Sequence, residues 1–437
     1  MDPIKLKYGL DEIPPLTELI LLGLQWFAII VPVVIIVGKI VAGLHFSSPS
    51  DQIVYIQKIF FVTGISLLVQ LLWGHRLPLV IGPATILLVG IAASHASGLS
   101  AIYTAIAIGG LVLFLLSAAG LFNYLKKLFT APVVATILIL IAFTLTPMIL
   151  DLIISSTAPG LALPNLCFSL IFVLCIFWVS RRVGGFWNST LIMWALVIGT
   201  IVYVLLFPSS FVVIKEAGTG INAGFFQNMN FRLSFEPGVI ISFLVCFLAL
   251  SINDLGSIYS VGGLLNPEQM SKRVTRGLSL TGMLNFLSGL LGVIGPVNFS
   301  LSPGVIVSTR CASRFTLIPA GIILLGISFL PPVIAFMGAI PQVVVGSILL
   351  YIMCSQLAAG LIMALDSKEG FSFESGLVMG LPLMLSIIIS FLPNSIVNIF
   401  PVILRPILGN GFVVGVLAVL IMEHLIFKEK PGSYQEQ

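Results

Sequence analysis

Long apolar stretches broken by short charged clusters run the length of this chain. No Asp, Glu, Lys or Arg occurs in residues 77–125 or 315–365. Further charge-free runs cover residues 19–38, 128–150, 152–180, 183–214, 277–309, 375–404 and 406–422. A helix needs about 20 apolar residues to cross the hydrocarbon core of a bilayer, so the longest runs hold two or more spans each. Gly, Pro, Asn and Ser divide them into twelve clear spans and two short, broken ones near residues 77–94 and 296–311. The pattern predicts an all-α polytopic membrane protein with 14 transmembrane segments.

The two broken segments echo one another. Gly82-Pro83-Ala84-Thr85-Ile86 and Ser302-Pro303-Gly304-Val305-Ile306 align at an offset of 220 residues. Each follows an earlier proline, Pro78 or Pro296, through a stretch that reads as extended, and proline is tolerated in the first turn of a helix. Each copy therefore reads as a strand-like lead into a half-helix that begins inside the bilayer. Broken helices at corresponding places in two halves point to a transporter site. With opposite directions of travel, their N-termini face one another near the midplane, each with free N–H groups and a positive dipole end. Two ordinary proline-kinked spans are the alternative reading.

Composition removes whole function classes. The 437 residues are 58% apolar and 8% charged, with a mean hydropathy of +1.17; soluble proteins carry roughly 25% charge. Lipid is the main solvent, and a soluble enzyme or binding module is excluded. The net charge of +4 does not point to nucleic acid, because the basic residues sit in short clusters between spans. With both termini cytoplasmic, 15 of the 20 Lys and Arg fall on the inner side (Lys5, Lys7, Arg76, Lys126, Lys127, Arg181, Arg182, Lys272, Arg273, Arg276, Arg310, Arg314, Lys368, Lys428, Lys430). Lys39, Lys58, Lys215, Arg232 and Arg405 fall outside or near the outer face, and the positive-inside rule supports this topology. Five cysteines without a CxxC pair read as small buried hydrophobes. Residues 1–15 lack the layout of a cleaved signal peptide, and no G-x-x-x-x-G-K-[ST] loop suggests ATP-driven transport.

Several segments resemble the nucleobase–ascorbate transporter family, the xanthine/uracil permeases. Tyr8-Gly-Leu-Asp11-Glu-Ile-Pro14-Pro15 followed by Leu22-Gly23-Leu24-Gln25 resembles that family's approach to span 1. The run Lys272-Arg-Val-Thr-Arg-Gly277-Leu, then Gly289-Leu-Leu-Gly292, Pro296, Gly304-Val-Ile-Val-Ser-Thr309-Arg310 and Ser313-Arg314, is similar to spans 9 and 10. Ile340-Pro341-Gln-Val-Val-Val-Gly346, with Tyr351 and Gly360 beyond, is similar to span 12. The likeness covers essentially the whole chain, as of a divergent member.

The resemblance implies two inverted seven-span repeats, with spans 3 and 10 broken by short extended stretches. It implies a core domain (residues 1–125 and 237–338) that carries substrate against a gate domain (residues 126–236 and 339–437). Substrate would lie between spans 3, 10 and 8, and a homodimer would form through the gate. The implied chemistry is proton- or sodium-coupled uptake of a purine, a pyrimidine or ascorbate.

Departures from the family pattern fall where substrate and proton handling are expected. The span 8 glutamate position holds Asn253, within Ser251-Ile-Asn253-Asp254-Leu-Gly256-Ser257. Span 10 has Leu301 where the family has a carboxylate or amide, and span 1 reads Gln25-Trp26 in place of Gln-His.

Asp254 is the only acid between Glu236 and Glu268. At 1.5 Å per residue it lies roughly 24 Å along its helix, past the middle towards the cytoplasm. An intramembrane carboxylate marks a functional site unless it merely ends the helix at the interface; the functional reading is a group that titrates or binds a cation during transport. Asn253, Ser257 and Ser260 make one polar stripe, read as substrate contact or as glue between helices. Asn can donate and accept at once, as a nucleobase edge requires. Ala84, Thr85, Phe299, Ser300 and Leu301 sit at the two half-helix starts, with Phe299 available to stack and Leu301 as an apolar wall. Gln25, Val33 and Tyr351 are candidates by family position. The four histidines lie at span ends or in loops, which argues against a histidine proton relay.

The sequence thus reads as a secondary active transporter of a small planar heterocycle, a purine or pyrimidine such as xanthine, urate or uracil. An anion transporter, or an uncoupled facilitator or channel, is the alternative on the same scaffold, because two opposed helix N-termini with no nearby glutamate favour an anion. No nucleophile–base or metal-ligand constellation suggests an enzyme, and no cofactor is expected. The expected partners are a small-molecule substrate, membrane lipid, and a proton or sodium ion. The expected place is the cytoplasmic membrane, multi-pass.

Overall fold

The computed structural model describes residues 6–121, 130–154, 160–208, 225–227, 229–299, 301–365, 372–397, 399–401 and 403–427. Ser300 lies outside the described residues, as do Lys5, Lys126, Lys127, Lys215, Lys368, Lys428 and Lys430 of the charge count.

The chain is mostly helical. In order it forms α1 (Leu16–His45), α2 (Pro49–Leu72), β1 (Val80–Pro83), α3 (Thr85–Ala93), α4 (Leu99–Ala118), α5 (Ala131–Thr144), α6 (Thr146–Ile154), α7 (Ala162–Arg182) and α8 (Leu191–Leu206). There follow α9 (Pro237–Leu265), α10 (Met270–Leu291), β2 (Pro296–Phe299), α11 (Ser302–Thr309), α12 (Ile318–Ser328), α13 (Pro331–Gly338), α14 (Gln342–Leu365), α15 (Phe373–Ser390) and α16 (Gly411–Ile421). Among the described residues, eight helical segments are long and apolar enough to cross a membrane: α1, α2, α4, α5 with α6, α7, α9, α14 and α15. The segment containing α12 and α13 bends by 96° at Phe329-Leu330 and passes the same test as a pair. This is a multi-pass membrane protein.

The two stretches read as extended are strands. They pair antiparallel with Val80 opposite Phe299, Ile81 opposite Asn298, Gly82 opposite Val297 and Pro83 opposite Pro296. Ala84 N continues the pairing to Gly295 O at 2.9 Å. Non-helical backbone at membrane depth is tolerated only where protein satisfies it, and both strands are enclosed by α1, α2, α9 and α10. Each strand then feeds a short helix, so α3 and α11 both begin inside the protein.

Close helix packing frames this pair. Gly110 of α4 and Gly282 of α10 sit so tightly that a Cβ on either would lie 2.4 Å from a backbone nitrogen of the other helix. In lipid, where apolar burial does not favour helix association, such small-residue contacts supply the attraction. At the start of the chain, Lys7, Tyr8 and Leu10 hydrogen-bond through their backbones to Arg310, Ala312 and Arg314, and Asp11 pairs with Arg314 at 2.7 Å. Two motif segments some 300 residues apart thus form one element.

Lys39 and Lys58, counted near the outer face, act as helix caps. Lys58 is 1% exposed on α2 and donates to Leu291 O (2.9 Å), the last carbonyl of α10, and to Gln227 O (2.5 Å). Lys39 of α1 donates to Gly338 O, the end of α13, at 2.7 Å and to Ile340 O. A helix end buried in an apolar setting leaves carbonyls without donors, and a cation suits that end of the dipole. Lys58→Met therefore leaves two carbonyls unsatisfied, at about 1–3 kcal/mol each. Thermal unfolding in detergent is expected to show a clearly lowered Tm, whereas Lys272→Met, at an exposed position, changes little.

Candidate functional site

The starts of α3 and α11 open onto a cavity of about 480 Å³. α1 contributes Val33 and Ile36 to its wall, the two half-helix starts contribute Thr85, Phe299, Leu301 and Gly304, and α9 contributes Asn253. The opposite wall comes from α14, through Tyr351, Ser355 and Gln356, and from the short turn Gly185–Ser189 with the start of α8. No Asp, Glu, Lys or Arg lines the cavity among the described residues.

Six of the candidate residues meet here: Val33, Thr85, Asn253, Phe299, Leu301 and Tyr351. Four do not line the cavity. Ala84 is fully buried and bonded into the strand pair. Gln25 is buried one turn before Ala28 and Ile29 on α1, and its Nε2 has no hydrogen-bond partner. Asp254 and Ser257 are both fully buried behind the cavity wall. Adjacent helical residues point about 100° apart, so Asn253 faces the cavity while Asp254 faces the protein interior.

Asp254 holds β2. Its carboxylate accepts from Asn298 N (3.0 Å), Asn298 Nδ2 (2.6 Å) and Thr281 Oγ1 (2.8 Å). Ser257 Oγ donates to Asn298 O at 2.9 Å, and Asn253 Nδ2 reaches the same oxygen at 3.4 Å. The remaining polar atom, Asn298 Oδ1, lies 3.2 Å from His75 Nε2. His75 Nδ1 accepts from Leu77 N at 3.0 Å, so its proton belongs on Nε2, which donates to Asn298. Every polar atom of Asn298 is thereby engaged. Phe299, the next residue, lies over Gly82: a Cβ there would sit 2.5 Å from Phe299 Cε2. The bare glycine lets the ring lie where it borders the cavity.

Several lining residues escape a sequence reading. Gln356, Ser355 and Asn188 stand on the α14 and α8 side; an amide inside an apolar run was the available signal for Gln356. Asn298 is the hub that joins α9, α10 and His75.

The family model described as Permease family, Xan_ur_permease, matches residues 17–395. The chain belongs to that family. Its resemblance to the nucleobase–ascorbate transporters rests on this match together with the relatives. A Clostridium perfringens protein named as a purine permease is 28% identical to the permease, over 99% of this chain and 95% of its own length. A nucleobase transporter of Paenibacillus larvae is 25% identical, with 91% of each chain covered. The transmembrane domain of a cyanobacterial bicarbonate transporter superposes with a TM-score of 0.64 at 18% identity, covering 86% of this chain and 96% of that one. That likeness shows the fold alone. Family and relatives are transporters, not enzymes.

The Asp254 contacts give a stability prediction for the permease. Asp254→Ala strands three buried donors, at about 1–3 kcal/mol each, and is expected to lower Tm sharply or prevent folding. Asp254→Asn keeps an acceptor oxygen for Asn298 and is expected to retain most of the stability in the same thermal assay.

Proposed function

We propose that this permease is a secondary active transporter of a nucleobase-like planar heterocycle, a purine or pyrimidine such as xanthine, urate or uracil, coupled to protons or sodium. The observation that carries the reading is the set of groups around one cavity: the Phe299 ring, the Asn253 amide and the starts of α3 and α11. An aromatic ring offers a face for stacking, and an amide donates and accepts along a heterocycle edge. Helix starts offer N–H groups to ring carbonyls. The volume of about 480 Å³ lies within the roughly 300–1,000 Å³ range of small-molecule sites. With no cation among the described lining residues, a neutral heterocycle suits the pocket better than a simple anion.

Fourteen spans follow if α8, α10, α16, the α12–α13 pair and the two strand–helix segments are added to the eight long ones. Residues 1–125 with 237–338 are then the core, and residues 126–236 with 339–437 the gate, as two inverted sevens with both termini in the cytoplasm. Val33, Thr85, Asn253, Phe299 and Leu301 would move with the core, against Tyr351 and Gln356 on the gate, in an alternating-access cycle. Asp254 is the coupling group in this scheme: a proton or sodium ion at its carboxylate competes with the bonds that hold Asn298, and so reaches the adjacent Phe299. Ser257 shares that role through Asn298 O. The permease is expected to work as a homodimer in the cytoplasmic membrane.

Thermal stabilisation of the purified protein by uracil, xanthine, urate, guanine, ascorbate and simple carboxylates, with and without sodium and across pH, tests the reading. A ligand that binds the folded state raises Tm by mass action. A shift with a neutral purine or pyrimidine is expected; shifts with carboxylates alone would overturn the proposal. Asn253→Ala is expected to weaken binding by about 5- to 150-fold, the range of one buried polar contact. Gly82→Ala, which displaces the Phe299 ring, is expected to weaken it about tenfold or more while the ligand-free protein still folds. Uptake into proteoliposomes by Asp254→Asn is expected to lose its dependence on the coupling gradient.

A further inference from the structure

We propose that His45 and His95 form a binding site for a divalent first-row transition metal ion such as Zn²⁺, Cu²⁺ or Ni²⁺. His45 is the last residue of α1, and His95 opens the turn His95–Ser97 that follows α3. Fifty positions apart in sequence, their rings lie 5.9 Å apart between centroids with planes at 19°. Both nitrogens of His45 are shut off from solvent and have no hydrogen-bond partner. Buried ring nitrogens without partners are costly. The neighbouring hydroxyls do not serve them: Tyr103 Oη donates to Tyr55 Oη at 2.9 Å, which also accepts from Ile294 N at 3.1 Å. Phe46, Tyr55 and Tyr103 close around the His45 ring at centroid distances of 6.0, 6.0 and 5.6 Å. His95, by contrast, is exposed.

The spacing suits one shared ion. A metal–nitrogen bond of about 2.0–2.1 Å places the ion about 3.2 Å from a ring centroid, so two rings on one ion have centroids at most about 6.4 Å apart. The rings are stacked and their lone pairs lie in the ring planes, so binding would turn both rings about χ2, a torsion that is broad for histidine, until one nitrogen of each faces the ion. Imidazole favours zinc, copper and nickel over calcium or magnesium. Among the described residues no third His, Cys, Asp or Glu joins the pair, so water would complete the coordination from the side of the exposed His95. Leu44 and Ala93, beside the two histidines, line a second cavity of about 480 Å³ that also contains Lys39 and Asp151. The ion would therefore join the ends of α1 and α3 at the rim of that cavity, and α3 is the helix whose other end carries Thr85. This site does not depend on which solute the permease carries.

Titration of tag-free protein in detergent with Cu²⁺, followed by electron paramagnetic resonance, tests the site. One equivalent bound at micromolar concentration, with hyperfine structure from two imidazole nitrogens, is expected. His95→Gln, a change at an exposed position, should leave one nitrogen and weaken binding tenfold or more, and His45→Gln should abolish it. His424→Gln should leave the spectrum unchanged. Zn²⁺ should raise Tm by a few degrees in the unaltered protein and not in His95→Gln. Absence of binding at micromolar Cu²⁺, or a two-nitrogen spectrum that survives His95→Gln, would overturn the proposal.

Discussion

Backbone polar groups cannot be left bare in a lipid-embedded protein, and the centre of this permease is arranged around that constraint. Two chain segments leave the helix inside the apolar region. They do so together, each strand supplying partners for the other, from Val80 with Phe299 to Pro83 with Pro296. The pairing lets α3 and α11 begin deep in the protein beside a shared cavity. A single broken helix would leave its extended backbone without a ladder; two crossing ones do not.

The same constraint explains where the few polar side chains went. Asn298 sits in the middle of β2 and is engaged on all sides by Asp254, Ser257 and His75. Lys39 and Lys58 close the ends of α13 and α10. These groups satisfy carbonyls and N–H groups that water would serve in a soluble protein. What remains facing the cavity is sparse: an amide on α9, a hydroxyl at the start of α3, an aromatic ring, and a few polar groups across from them. In the proposed reading, that sparseness suits a flat heterocycle better than a simple anion.

Asp254 and Asn253 show how far a residue-by-residue reading reaches. The lone acid in a long apolar run was a sound marker for an important position, and the carboxylate is bonded to three donors at the centre of the protein. Its neighbour, and not the acid itself, faces the cavity. One step along a helix is a turn of about 100°, and sequence does not say which of two adjacent polar residues points to the ligand space until the packing of the helix is known. Ser257 follows the same logic: it lies on the stripe with Asn253, yet β2 covers it. Gln356 lies between the motif residues Tyr351 and Gly360, yet only the packing of α14 shows that it faces the cavity, and Asn188 stands in a short turn that carries no motif.

The sequence by itself determined the solvent, the helical class, the two breaks and the family, because each is written in local composition or short motifs. An apolar run of sufficient length has few alternatives to a membrane helix, and a proline followed by small residues in two matching places marks where a helix starts afresh. Only the tertiary structure decided that the two breaks meet as strands, that Asn298 is held from three sides, that buried lysines cap helices, and that His45 and His95 lie together. Those facts depend on pairings between residues 41 to 301 positions apart, and their specificity comes from satisfying particular donors and acceptors in a low-dielectric interior. Periodicity along one chain carries no record of which partner that will be.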